Sequence, residues 1–142
     1  MPSQKIFATP QDAEAAFYEA LERCDLDSMM AVWAEDEDVT CVHPGGPRLV
    51  GYAMIRDAWQ HIFANGSRMR IRLSQQTSVS TPFAMVSTLL EHFSTLDDKQ
   101  LSAPVAASNV YVRGALGWRM VAHHASPVPP NSLADEPAHT LH

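Results

Sequence analysis

The 142 residues match the common size of one domain, enough to hide roughly two-thirds of the surface that the unfolded chain would expose. Charged residues make up only 18% against 46% hydrophobic, which excludes disorder for the bulk of the chain. Sixteen acids against ten Lys and Arg give a net charge of −6, so neither nucleic acid nor an anionic membrane is an expected partner.

The first helix opens at Thr9, with Pro10 suited to its first position and Asp12 placed as a capping acid. Ala13, Ala16, Phe17, Ala20, Leu21 and Cys24 recur at helical spacing and give it one apolar face. Asp25 then caps a shorter helix with Leu26, Met29, Met30 and Trp33 on its face. Four consecutive acids, Glu35 to Asp38, make a solvated turn. The β-rich stretch 39–42 is a short strand that His43-Pro44-Gly45-Gly46-Pro47 must end. After Gly51, the stripe Met54, Ile55, Ala58, Trp59, Ile62 and Phe63 marks a third helix, stopped at Asn65-Gly66. Segments 68–79, 83–95, 103–113 and 118–125 are β-type, and short turns between them make antiparallel neighbours.

This order, α-α-β-α-β-β-β-β, predicts an α+β cone, a curved and mostly antiparallel sheet wrapped around three helices. Too few helices to fill the concave face leave a pocket at the open end. Residues 1–126 form the single domain, and 127–142 a Pro-rich C-terminal tail without periodicity. No apolar run approaches the ~18–20 residues of a membrane span. The first ten residues do not read as a signal peptide. Cys24 and Cys41 lack metal or redox spacing and are expected to be reduced and buried. A cytoplasmic location is therefore expected.

Several motifs carry a resemblance. Asp25-Leu26-Asp27 before the Trp-ended helix, Val42-His43-Pro44, and Gly46-Pro47-Arg48-Leu49-Val50-Gly51 running into Ile55-Arg56-Asp57 resemble the nuclear-transport-factor-2-like (NTF2-like) superfamily. The terminal strand, with Trp118 followed six and eight residues later by His124 and Ser126, is similar to the SnoaL-like branch. It is similar also to the association domain of a calmodulin-dependent kinase. The resemblance spans about residues 8–127 and implies a cystatin-like cone. The ketosteroid-isomerase-related branch supplies a comparison of chemistry: its Asp base falls at His43, its Tyr at Phe17 and its third group near Ser108 or Asn109. All three groups are changed, so that isomerase mechanism is not expected, although the place of the base survives as His43.

His43 is the first candidate for catalysis, because imidazole can act as acid or base near neutral pH; the competing role is a loop-entry cap on backbone groups. His124 is the second candidate. By period two it shares a face with Ser126, Trp118, Met120 and Ala122, while His123 points away. Phe17, Trp33, Trp59, His92, Asn109 and Ser126 are the candidate substrate-binding residues, although an aromatic at helical spacing, as Trp33 and Trp59 are, is by default core. Arg68, Arg70 and Arg72 alternate with apolar residues as an edge-protecting face. No cofactor is expected, and the spacing of His43, His92 and His124 singles out no metal.

The implied function is a small-molecule pocket, as of a His-assisted isomerase, cyclase or hydrolyase acting on a small hydrophobic substrate. The alternative is a non-catalytic ligand-binding or association module. Apolar residues on both parities of 83–90 and 103–112 predict a homodimer or higher oligomer formed through the outer face of the sheet.

Overall fold

The computed structural model describes residues 5–129. Residues 130–142, which hold most of the expected tail, lie outside the described residues. Helix α1 spans Pro10–Arg23. Thr9 Oγ1 accepts from the Asp12 N–H at 3.0 Å, and Cys24 closes the helix in the left-handed region at φ 54°. Helix α2, Leu26–Val32, starts where Asp25 accepts from the Ser28 N–H at 3.1 Å. Helix α3 covers Tyr52–Asn65 behind Gly51 at φ 99°.

The strands are β1 Thr40–Val42, β2 Arg48–Val50, β3 Arg70–Ser80, β4 Ala84–Ser94, β5 Val105–Gly114 and β6 Gly117–Pro127. They form one six-stranded sheet in the order β2-β1-β6-β5-β4-β3. Every neighbouring pair is antiparallel except β1 with β6, which is parallel. The sequence reading did not include β2, three residues that pair back on β1 across the Pro-Gly turn. Otherwise the predicted order and the cone hold.

The helices cover the concave face. Phe17, Met29, Val32, Trp33, Ile55 and Trp59 are buried there against Met85, Leu89, Tyr111 and Met120 of the sheet. Near the β5–β6 turn the chain passes very close to Gly117, where an added Cβ would lie 2.7 Å from the Phe7 carbonyl oxygen and φ is +87°. Cys41 is buried as expected; Cys24 is only half-buried.

Two bulges decide which side chains face inward. In β6, Met120 opposes Tyr111 and Ala122 opposes Val110, so Val121 is an extra residue. Trp118 and Met120 are inward before it, His123 and Ala125 after it. In β3, register is lost between Ser74 and Thr77, with Gln75 at φ 52°, and this turns the Gln76 amide inward.

Candidate functional site

The β6 bulge reverses the facing read from sequence. His124 and Ser126 are exposed on the outer face, and His123 is 3% exposed inside the cone. Simple alternation cannot anticipate this, because one extra residue exchanges the two faces. His92 also lies outside the cavity face. Its neighbours Glu91 and Phe93 have the inward parity of Met85 and Leu89, while His92 pairs across the outer face with Arg72 and meets Ser74 Oγ at 2.7 Å. Trp33 is buried core at the end of α2, bridged to Met120. Arg70 and Arg72 are exposed, as an edge-protecting face requires.

His43, Phe17, Trp59 and Asn109 do come together. His43 follows directly on the Val42–His124 pair at the end of β1. Its ring meets Trp59 edge-on at 4.6 Å and stands 6.4 Å from the His123 ring. Phe17 packs on His123 at 4.9 Å and on Trp59 at 5.9 Å, and Trp59 on Phe63 at 5.3 Å. Cys41 Sγ lies 3.6 Å from His43 Nε2; burial pushes that thiol up to about 12, so it stays neutral. Burial also lowers the pKa of His43, which favours its neutral form at pH 7.

Behind this wall lies a buried polar network that sequence reasoning missed except for Asn109. The Asn109 Nδ2 donates to Glu14 Oε2 at 3.0 Å and to the Tyr18 hydroxyl at 2.9 Å. Both donors point at acceptors, so the amide orientation follows from its partners. Asn109 Oδ1 must then accept from His123 Nδ1, 2.6 Å away. His123 is thereby fixed as the Nδ1–H tautomer, with Nε2 left as an acceptor. Burial first, then His43 and His124, lower its pKa to about 3. Repulsion between imidazoles contributes, but burial dominates.

Glu14 carries four donors. Gln76 Nε2 and Ser87 Oγ reach Oε1, while Asn109 Nδ2 and the Tyr111 hydroxyl reach Oε2. Four donors suit an ionised carboxylate. Glu91 has one. The Tyr18 hydroxyl donates to its Oε2 at 2.6 Å. Burial raises the Glu91 pKa to about 7, and Glu14 raises it further against the lowering effect of that bond. Burial and the neighbouring carboxylates hold Tyr18 and Tyr111 well above the ordinary tyrosine value.

Among the described residues, the only buried side-chain nitrogens or oxygens without a partner are the indole nitrogens of Trp33 and Trp59. Hydrogen bonds hold His123 through Nδ1 and Glu91 through Oε2, and the two residues are 3% and 2% exposed. In the row between them, Ala107 pairs with Ala125 on one side and Leu89 on the other, all three buried.

A SnoaL-like domain model matches residues 11–130. The chain belongs to the SnoaL-like family. The fold also matches solved structures. A Thiobacillus denitrificans chain named for the calcium/calmodulin-dependent protein kinase type II association domain shares 38% identity, with 88% of this chain and 99% of that one covered and a TM-score of 0.82. A Streptomyces avermitilis chain named as a dehydratase of the NTF2-like family shares 32%, with 82% and 91% covered and a TM-score of 0.74. A chain named as a ketosteroid isomerase from Parabacteroides distasonis shares 18%, with 92% and 97% covered and a TM-score of 0.69; at that identity the likeness is one of fold. No curated protein matches. No described helix is long and apolar enough to cross a membrane.

Proposed function

We propose that the cone binds a small, mostly hydrophobic molecule and that His43 moves a proton on it, as in an isomerase, cyclase or hydrolyase. The observation that carries this reading is the half-buried His43 ring, its pKa lowered by burial, clustered with the Trp59 ring at 4.6 Å and the His123 ring at 6.4 Å. A neutral imidazole can take a proton from carbon or oxygen. His123 Nε2, held by the Asn109–Glu14 relay, can accept a hydrogen bond from a substrate hydroxyl. His123 replaces His124 as the partner of His43 in this proposal. Phe17 and Trp59 supply the apolar wall. The 32%-identical chain named as a dehydratase supports proton chemistry in such a cone.

Mass spectrometry of small molecules that co-purify from a metabolite extract identifies the ligand class. His43→Ala then decides between catalysis and binding. A catalyst loses turnover by ~10²-fold or more, the usual scale for a general base. A pure binder loses affinity with no turnover to lose, and that outcome overturns the catalytic reading.

A second reading, association through the sheet, rests on one row of the outer face. Val79, Val86, Val110 and Ala122 lie side by side across four strands, with Val79 75% and Val86 42% exposed. Such a row fits a self-complementary contact between two sheets. The likeness to a chain named for a kinase association domain supports it. We place a homodimer on this face; light scattering that returned the 15.6 kDa mass of one chain at micromolar concentration would refute it.

A further inference from the structure

We propose that His124 makes the outer-face contact between two copies of this chain depend on pH, the pair holding while the imidazole is neutral and parting when it is charged. This rests on the homodimer read from the valine row and adds its regulation.

The first observation concerns the sign of charge on that face. The chain has sixteen Asp and Glu, yet Glu91 is the only one in any of the six strands, and it is buried on the concave side. The ionisable groups at the outward positions of the strands are all basic: Arg48 on β2, Arg70 and Arg72 on β3, His92 on β4, and Arg119 and His124 on β6. Arg70 lies 3.7 Å from Asp98 of the β4–β5 loop. Arg119 feels Glu35 from the loop after α2, bonds to the backbone oxygens of Trp118 and Lys5, and lies over the Phe7 ring. His124 has no such acid. It faces Ser108 on β5 and Val42 on β1, with Ala122 and Ser126 beside it on β6. His123, whose pKa His124 helps to lower, lies on the concave side.

The second observation is position. Next to the row of Val79, Val86, Val110 and Ala122 runs a row of Thr77, Thr88, Ser108 and His124. Strands lie ~4.8 Å apart and a two-residue step along a strand is about 7 Å, so His124 stands about 8 Å from Val110. A standard interface buries about 800 Å² on each partner, a disc of roughly 16 Å radius, so a contact centred on the valine row covers His124. His92 lies six residues along β4 from Val86, about 20 Å away, and falls outside that disc. His124 is exposed in one copy alone, and a second copy would strip its water. A charged ring covered without a carboxylate is costly, whereas a neutral one can bond to the hydroxyls of its own row. Imidazole changes charge between pH 5 and 8, so acidification opens the contact.

Sedimentation equilibrium of the intact protein at pH 7.5 and 5.5, at one ionic strength, tests this with His124→Gln and His92→Gln beside the wild type. The wild-type dimer should weaken by about tenfold or more at pH 5.5, since a two-fold contact excludes two protons. That runs against the general trend, because a chain of pI about 5.5 has lost its net charge there and should associate more. His124→Gln should show the same dissociation constant at both pH values, while His92→Gln keeps the wild-type response. A wild-type dimer equally tight at both would overturn the pH dependence and leave the dimer standing. A chain that is monomeric at pH 7.5 would overturn the dimer and the inference with it. Dissociation of His124→Gln at pH 5.5 would place the proton elsewhere and overturn the role of His124. If that variant does not fold, NMR of the wild-type His124 ring decides: its titration midpoint should fall as protein concentration rises, and a midpoint indifferent to concentration overturns the inference.

Discussion

The two faces of one sheet treat the same residue type in opposite ways. On the concave face, His43 and His123 sit among aromatic rings with their pKa values lowered by burial. On the outer face, His124 is exposed and His92 pairs with Ser74. Composition does not distinguish these pairs, and neither does proximity in sequence, since His123 and His124 are adjacent. The distinction comes from one extra residue in β6 and from what the helices cover. Burial then does the chemistry: it removes charge from imidazole, raises Glu91, and leaves hydrogen bonding as the currency of the site.

The largest expected effect is at the hub of the concave network. Asn109→Leu leaves Glu14, Tyr18 and His123 each short of a partner. At ~1–3 kcal/mol for each buried group left unsatisfied, the loss is on the order of 4 kcal/mol, and calorimetry should show the thermal midpoint falling by roughly 10 °C or more. A shift of only a degree or two would mean that the network is not tight.

The pH dependence of stability should be two-sided. Glu91 is raised to about 7 from an unfolded value of 4.5. The folded state therefore holds the extra proton across that window, and stability falls as pH rises through it, by on the order of 3 kcal/mol. His123 is lowered to about 3 from 6.5, so the folded state binds fewer protons there, and stability falls as pH drops below 6.5. Unfolding midpoints measured from pH 4 to 9 should peak near pH 5–6.5. Glu91→Gln should flatten the alkaline limb and His123→Gln the acid limb. A curve indifferent to both variants would break the contrast between the faces.

Smaller effects belong to the outer face. Val86→Lys should halve the mass seen by light scattering while leaving the fold intact, because a charge in the middle of the valine row opposes self-pairing. His124→Ala should change stability by less than ~0.5 kcal/mol, as expected of an exposed surface side chain.

The sequence made most of the fold legible because its local signals agree with its tertiary packing. Thr9-Pro10, Asp25 and Gly51 mark helix starts, and the four long β segments dominate the second half. β2 was hidden because three residues between a Pro-Gly turn and a glycine carry no periodicity. In the site, His43, Phe17, Trp59 and Asn109 were readable from their types and positions. Glu14 and Tyr18 were not, although Glu14, Phe17, Tyr18 and Leu21 share the i, i+3, i+4, i+7 stripe that turned out to be buried. Glu91 likewise shares the parity of Met85, Ser87 and Leu89. A charged residue on an apolar stripe was the available signal. His123 offered none, since a bulge at Val121 leaves no mark in the residue types around it.

The central claim is that the cone is lined by neutral imidazoles, one of them locked in a single tautomer. The direct measurement is an NMR titration of the ring nitrogens of all described histidines from pH 4 to 8, with assignments from single His→Gln variants. The His123 signals should stay those of a neutral Nδ1–H ring throughout, and His43 should titrate below 6.5. A His123 ring that takes up a proton near pH 6.5, or that shows the Nε2–H tautomer, would contradict it.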